Sequence, residues 1–200
     1  MSHSDRSWNE REMQLALFEW LEWRKRTLIL PNFTPFYWYE CDMFSLTRSL
    51  YFHEIEIKVS RADFRADFKK FEKHRVLSGD LTNANWYGPS YLDRSPHTFC
   101  YACPAEMLAV DDVPAYAGLI WVRRQKKGFW NGATGYLVTV EKRPPMLPAE
   151  KMKPEQVLKI SNNLWYRYAK EWKERTEMIL DQEEADETLR DSAGLTATVR

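Results

Sequence analysis

Two carboxylates and a lysine alternate along the segment 51–60, YFHEIEIKVS, at Glu54, Glu56 and Lys58. Alternation of apolar and polar residues is typical of a β-strand, and side chains two residues apart on a strand lie on the same face. Asp42 lies fourteen residues upstream of Glu56, in a second segment with strand-like alternation. If the two strands are neighbours, one sheet face concentrates oxygen ligands for a hard divalent cation beside an ammonium group. Such a set is suited to metal-assisted hydrolysis of a phosphodiester, in which the metal polarises the phosphate and activates a bound water.

Acid-x-Lys triplets are unspecific by themselves, and the chain contains three of them, beginning at Glu56, Asp67 and Glu171. The last two fall in predicted helices, where residues two apart do not face each other, so their charges are expected to be solvated. The alternative for the first triplet is a solvated sheet face whose Glu and Lys side chains form cross-strand ion pairs. That alternative leaves unexplained the upstream Asp42 and the basic helix that follows, so both interpretations stay open.

Eight elements are predicted from the hydrophobic periodicity, in the order helix, strand, strand, helix, strand, strand, strand, helix. This order predicts an α/β fold with a central mixed sheet flanked by helices. Pro31 and Pro35 indicate a turn after the first helix. The predicted segments are a first helix capped at Ser7, strands over 36–46 and 51–60, a helix over 61–76, strands at 97–104, 117–124 and 135–140, and a helix over 155–186.

The chain is expected to divide into a core domain, 1–143, a linker and long helix, 144–190, and a flexible tail, 191–200. The long helix has an apolar stripe, which is expected either to pack on the core or to form a homodimer seam. That stripe consists of Val157, Ile160, Leu164, Tyr168 and Trp172. The stretch 78–96 has no periodicity, and a loop of that length is typically functional or disordered.

The formal net charge is zero, but the charges are segregated along the chain. Residues 58–75 hold seven Lys or Arg and three acids, whereas residues 174–191 hold eight acids and two Arg. No apolar run reaches membrane-spanning length, so a cytoplasmic protein without membrane contact is expected. Cys100 and Cys103 form a C-x-x-C on a predicted strand, where they face opposite sides, so they are predicted to be core residues rather than zinc ligands.

The motifs ECDMFSL and YFHEIEIKVSRADFRADFKKFEKH resemble those of the PD-(D/E)XK nuclease superfamily, especially small phage and bacterial members with an EIKVSRADF-type active strand. The resemblance covers about residues 9–122 and leaves the carboxy-terminal third without support. Two features depart from the superfamily pattern, since Cys41 precedes Asp42 where a proline is usual, and the Gln-xxx-Tyr pattern of RecB-type exonucleases is missing.

The resemblance implies a restriction-endonuclease-like core of helix, three strands, helix and strand that uses Mg²⁺ or Mn²⁺. Asp42, Glu56 and Lys58 match the catalytic motif, and the Ile57 carbonyl would complete the metal shell. A glutamate on the first helix assists in related nucleases, and Glu12 is favoured here over Glu19. A basic residue on the following helix often orients the substrate, which implies Lys70 or Lys69, while Glu54 is expected to play an auxiliary role.

Phosphate contacts to DNA are expected from the basic helix and from a second basic patch, VRRQKKGFW, whose aromatics could stack on exposed bases. For that second patch, an ordinary charged hairpin loop is an equal alternative. The expected DNA-binding residues are Arg61, Arg65, Lys69, Lys70, Lys73 and Arg75, followed by Arg123, Arg124, Lys126 and Lys127.

The function expected on these grounds is a metal-dependent deoxyribonuclease in DNA repair, recombination or phage DNA metabolism. One alternative is a catalytically inactive nuclease-fold module that binds DNA or a replication protein. Another is a structural protein that assembles through its terminal helix.

Overall fold

The computed structural model describes residues 7–35, 39–80, 95–125 and 135–197. It divides into two compact units, Met1–Lys153 and Pro154–Arg200. The boundary therefore falls ten residues after the expected end of the core domain. Residues that follow the last strand attach to the first unit, where the Leu147 N–H donates to the His97 carbonyl and the Met152 N–H donates to the Leu50 carbonyl. Among the described residues, no helix is long and apolar enough to cross a membrane.

One open, six-stranded mixed sheet forms the centre of the first unit, which confirms the predicted α/β class. The strands lie side by side in chain order. The pairs β3–β4 and β4–β5 are parallel, whereas the other three pairs are antiparallel. The strands are β1 (Leu28–Phe33), β2 (Cys41–Leu46), β3 (Phe52–Ile57), β4 (Thr98–Pro104), β5 (Ala117–Arg124) and β6 (Tyr136–Lys142).

Helices cover both faces of this sheet. Helix α1 (Glu10–Trp23) packs its buried side chains, among them Met13 and Leu17, into an apolar cluster with Met43 of β2 and Ile55 of β3. Helices α2 (Arg61–Asp67) and α3 (Phe71–Leu77) lie on the opposite face, where Phe64 contacts the ring of Tyr101 at 4.9 Å. A short 3₁₀ helix, Val110–Asp112, lies in the connection from β4 to β5. The two cysteines of the C-x-x-C are both buried and carry no disulfide, as expected for core residues.

Strand β1 replaces the turn that Pro31 and Pro35 were expected to mark. The prediction was wrong because β1 is the edge of the sheet, paired only with β2 among the described strands. Proline lacks the N–H that a central strand needs, but an edge strand has one side without ladder partners and accepts it. The start of α1 also differs, since the cap is Asn9, whose side chain accepts from the Glu12 N–H at 2.9 Å, rather than Ser7.

The basic helix predicted over 61–76 is broken between α2 and α3. In a continuous helix the Asp67 carbonyl would accept from the N–H of Phe71. Here it accepts instead from the N–H of Lys70 at 2.8 Å and lies 3.0 Å from His74 Nε2. The break leaves Phe71 67% exposed, and Lys73 turns into the interior.

The second unit consists of one long helix, α4 (Pro154–Ala197), which begins where it was predicted and extends beyond residue 186. Of the expected apolar stripe, Ile160 is buried, whereas Tyr168 and Trp172 are more than half exposed. The helix includes residues 191–197, which were expected to be frayed.

Candidate functional site

Strands β2 and β3 bring the first two predicted site residues together. Their antiparallel register pairs Phe44 with Glu54 and Met43 with Ile55, which puts Asp42 opposite Glu56. The Asp42 side chain also accepts a hydrogen bond from the Ile57 N–H at 2.6 Å. Burial, together with the nearby Glu56 carboxylate, raises the pKa of Asp42 to about 7. Ionisation is therefore disfavoured at Asp42.

The charged face of β3 is enclosed by protein. Glu54, Glu56 and Lys58 are exposed by 0%, 1% and 5%, which excludes a solvated sheet face. Lys58 Nζ lies 3.0 Å from Glu56 Oε1, so the strand triplet makes the contact that its spacing predicts. An enclosed ion pair needs hydrogen-bonding partners on all sides, because the desolvation of each charge opposes folding.

Asp67 supplies the second partner of Lys58. Its Oδ1 lies 3.1 Å from Lys58 Nζ, and its side chain is fully buried. Burial tends to lower the pKa of Lys58, but the charges of Glu56 and Asp67 outweigh it and raise that pKa. Lys58 is therefore held as an ammonium ion between two carboxylates.

Two further lysines reach the same carboxylates from α3 and its start. Lys70 Nζ lies 2.7 Å from Glu56 Oε1 and 3.0 Å from Asp67 Oδ1, while 41% of its side chain is exposed. Lys73 is fully enclosed, with its Nζ 2.6 Å from Glu54 Oε1 and 2.7 Å from Glu56 Oε2. Burial alone would raise the pKa of Glu56, but the surrounding lysines, Lys73 foremost, lower it. Glu56 thus contacts three ammonium groups at once.

A hydrogen-bonded chain leads from Asp67 towards the surface. The Tyr101 hydroxyl donates to Asp67 Oδ2 at 2.8 Å, and His74 Nε2 lies 3.2 Å from the same oxygen. The other ring nitrogen of His74 lies 2.7 Å from the hydroxyl of Tyr116, which is partly exposed. Burial favours the neutral carboxyl, but the hydrogen bond to His74 and the charge of Lys58 hold the pKa of Asp67 well below its ordinary value. Asp67 is thus ionised, and it holds the Lys58 ammonium in position.

Mg²⁺ and Mn²⁺ are usually bound through one or two carboxylates and several waters, so Asp42 and Glu56 are the residues that would hold such an ion here. Asp42 is the one of the two whose ionisation is disfavoured, since burial and the Glu56 carboxylate raise its pKa, whereas three ammonium groups already lie against Glu56. Among the described residues, no three His, Cys, Asp or Glu side chains converge into a ready-made metal cage. The set is therefore a two-carboxylate site at most.

Glu12, the expected third ligand, is engaged elsewhere. Its two carboxylate oxygens accept from Arg124 Nε at 2.7 Å and from Arg124 Nη2 at 2.6 Å. Arg124 also stacks over the ring of Trp8, with its Cζ 4.1 Å from the ring centroid. This bidentate pair ties α1 to β5, and a structural role explains both residues without any ligand.

The predicted DNA-binding residues divide by location. Arg65 and Lys69 are exposed on and just after α2, beside the half-exposed Lys70. Arg61 is exposed and contacts Asp112 at 3.2 Å, and Arg123 contacts Glu106 at 2.8 Å.

Other members of that set do not lie at the surface of the basic helix. Lys73 lies inside the protein, where it cannot reach a phosphate backbone, and Arg124 is mostly enclosed by Glu12. Arg75 is only partly exposed and pairs with Glu72. Lys126 and Lys127 fall outside the described residues, as does most of the 78–96 loop.

Asp67 and Lys73 are the two members of the site that sequence reasoning misplaced. Both were interpreted as charges on the outside of a helix, yet Asp67 is 3% exposed and Lys73 is 0% exposed. A signal for Asp67 was present in the sequence, because it lies three residues after the buried Phe64 and therefore on the same side of α2. No comparable signal exists for Lys73, since its position depends on the break before α3.

Comparisons with known proteins add little to this geometry. No family model matches the chain, and no curated protein sequence is significantly similar to it. A solved structure of a protein of unknown function from Silicibacter pomeroyi is similar at a TM-score of 0.45 and 21% sequence identity, covering 84% of this chain and 90% of that one.

Proposed function

We propose that the protein is a metal-dependent deoxyribonuclease whose active site is formed by Asp42, Glu56 and Lys58. The observation that carries the proposal is the juxtaposition on β2 and β3: Asp42 lies opposite Glu56 in the strand register, and Lys58 Nζ lies 3.0 Å from Glu56. The order of elements agrees with what the sequence resemblance implies, since α1 is followed by three antiparallel strands, two helices and the parallel strand β4.

Asp42 and Glu56 would hold Mg²⁺ or Mn²⁺, with the Ile57 carbonyl as a further candidate ligand. When bound, the metal supplies a Lewis acid for the phosphate and lowers the pKa of a bound water. The hydrogen bond from the Ile57 N–H fixes one oxygen of Asp42 and so orients its carboxylate. This orientation comes from the backbone of β3, which the sheet holds rigid.

Lys58 would act as a fixed positive charge. Its raised pKa keeps it protonated, so it stabilises negative charge on the phosphate rather than removing a proton from water. Asp67 holds the Lys58 ammonium in place from the other side, at 3.1 Å. Lys70 is the cationic member of the cluster that is also substantially exposed, so it is the group best placed to exchange a carboxylate for a substrate phosphate.

The proposed substrate is intracellular DNA, bound along the exposed side of α2 through Arg65, Lys69 and Lys70. Such contacts neutralise phosphates without reading sequence, so binding should weaken steeply as salt increases.

The test is a cleavage assay of the purified protein with single-stranded, duplex and branched DNA in the presence of Mg²⁺ or Mn²⁺. Cleavage should require the metal and should fall by at least about 100-fold in Lys58→Ala, the order expected when an electrostatic contact to the transition state is removed. Lys173→Ala is the matched control, because Lys173 ends an acid-x-Lys triplet that lies exposed on α4. If no DNA is cut with either metal, the proposal fails.

A second candidate, a nuclease-fold module that binds DNA without cutting it, is favoured by one observation. Glu56 is already compensated by Lys58, Lys70 and Lys73, so three ammonium groups supply positive charge that a metal would otherwise bring. Manganese titration followed by electron paramagnetic resonance separates the two functions. An active nuclease binds Mn²⁺ and loses it in Asp42→Asn, whereas the module binds DNA in the presence of a chelator and binds no Mn²⁺.

A further inference from the structure

Helix α4 carries a long row of exposed apolar side chains. Six of them fall at the a and d positions of a single heptad repeat that begins at residue 158. Each is between 49% and 66% exposed. The row consists of Leu158, Trp165, Tyr168, Trp172, Ile179 and Leu189.

A row of this kind is the surface that a second helix covers. The a positions follow one another every seven residues, and this spacing drifts by only about 20° per heptad around a straight helix. The helix has 44 residues and is about 66 Å long. Six of the ten a and d positions between residues 158 and 189 are apolar, and a periodic pattern of this length is typical of a coiled coil. Three exposed aromatic residues in the row make contact with water unfavourable.

We propose that α4 pairs with α4 of a second copy of this chain, and that the two helices run antiparallel. The distribution of charge along α4 favours a second copy as the partner and an antiparallel orientation of the two helices. Residues 154–173 hold four Lys or Arg and two acids, a balance of +2, whereas residues 174–191 have a balance of −6. A parallel pair would place the two acidic halves side by side, which is repulsive, while an antiparallel pair places each acidic half against a basic one.

One antiparallel register pairs a positions with d positions along the whole row. It places Leu158 against the partner's Leu189 and Tyr168 against the partner's Ile179. Polar residues face the two tryptophans, the partner's Gln182 opposite Trp165 and the partner's Arg175 opposite Trp172, and Ser161 faces the partner's Asp186. The pair of Trp172 with the partner's Arg175 puts a guanidinium beside an indole, an arrangement that is favourable in its own right. The register is symmetric, so each of these contacts occurs twice.

The area available is sufficient for a stable dimer. Exposed Trp and Tyr side chains each present on the order of 150 Å² to a partner, and two copies bring six of them together. With the leucine and isoleucine residues of the row, the buried area exceeds about 1,000 Å², the size from which specific interfaces begin.

Sedimentation of the full-length chain over micromolar concentrations tests the proposal. The wild type should be a dimer, and the double variant Trp165→Glu and Trp172→Glu should raise the dissociation constant by at least about 100-fold. The matched control is Tyr166→Glu and Leu180→Glu, since both residues are at b positions of the same helix, similarly exposed, and off the row. Circular dichroism of all three proteins shows whether the helix itself survives.

The relative direction of the two helices is tested by the distance between two spin labels, one on each copy of the Lys159→Cys variant. Residue 159 is an exposed site beside the row. The antiparallel register separates the two labels by about 44 Å along the axis, because residue 159 of one chain and residue 159 of the other lie 29 residues apart. A monomeric wild type, equal loss in the control variant, or a label distance below about 25 Å would overturn the proposal.

Discussion

Strand β3 contributes apolar side chains to one face of the central sheet and charged side chains to the other. On β3, Ile55 and Ile57 enter the apolar cluster beneath α1, while Glu54 and Glu56 face the lysines beneath α2 and α3. Both faces are enclosed to a similar degree, since all four side chains are less than 5% exposed. The apolar face gains free energy from every side chain removed from water. The charged face must first overcome the desolvation of its ions.

Burial therefore accounts for the stability of the apolar face but not for the presence of the charged face. A buried set of ions is often no more stable than apolar residues of similar volume, so stability alone does not explain the charged face. Clusters with strongly shifted pKa values are common at functional sites. The raised pKa of Asp42 distinguishes it from the other carboxylates of the cluster, Glu56 and Asp67, whose pKa values are lowered.

The largest effect on the charged face is expected from Lys73→Met. Removal of this enclosed ammonium leaves Glu54 and Glu56 buried without their main compensation, which should lower the free energy of unfolding by about 3–5 kcal/mol. Chemical denaturation measures the change. The double variant Lys73→Met with Glu54→Gln should recover part of the loss. If Lys73→Met alone is as stable as the wild type, Lys73 does not compensate the buried Glu54 and Glu56.

A smaller effect is expected from Ile55→Ala on the apolar face. Loss of a buried isoleucine side chain in this cluster should lower the free energy of unfolding by about 2–4 kcal/mol. Because no charge is disturbed, the loss should be the same at pH 5 and at pH 8. A strongly pH-dependent loss would mean that the two faces of β3 are not separate environments.

The pH dependence of stability tests Asp42 directly. In the unfolded chain this carboxyl ionises near its ordinary pKa of 3.8, whereas in the folded protein it ionises near 7. The folded state therefore binds the extra proton between these values, and its stabilisation is fully present below about pH 4 and is lost as pH rises through 7. A shift of about three units corresponds to at most about 4 kcal/mol, and partial exposure of Asp42 will reduce this.

Comparison with Asp42→Asn shows this effect. Relative to the variant, the wild type should lose about 1–3 kcal/mol of stability between pH 4 and pH 8, measured by denaturation at each pH. Addition of Mn²⁺ at pH 8 should stabilise the wild type and leave Asp42→Asn unchanged. If stability without metal depends on pH in the same way for the wild type and for Asp42→Asn, the raised pKa of Asp42 is contradicted.

The smallest effect is expected from Glu12→Gln. Its pairing with Arg124 lies at the edge of the protein and is partly exposed, so its loss should lower stability by about 1 kcal/mol or less. Affinity for Mn²⁺ should not change, because both Glu12 oxygens accept hydrogen bonds from Arg124 and Glu12 is not a member of the Asp42 and Glu56 pair. A large drop in Mn²⁺ affinity in Glu12→Gln would show that Glu12 is a metal ligand after all.

Local patterns were sufficient for most elements of the first unit. Strand alternation placed β2 to β6, and the spacing of Asp42, Glu56 and Lys58 predicted that they share one face. The edge strand β1 was missed because the local effect of Pro31 is the same in a turn and at a sheet edge, and only strand order distinguishes them. The break before α3 was missed because periodicity does not reveal the contacts that the Asp67 carbonyl makes there, with the Lys70 N–H and with His74.

The sequence by itself determined that Glu56 and Lys58 lie side by side, because the two-residue repeat of a strand is a local property of the backbone. Only the tertiary structure decided what surrounds them. The crossover from β3 to β4 folds α2 and α3 over the charged face, so Asp67, Lys70 and Lys73 converge on side chains up to nineteen residues away in the chain. Burial then fixes which of these groups are charged, since desolvation and neighbouring ions act only once the helices have closed over the sheet.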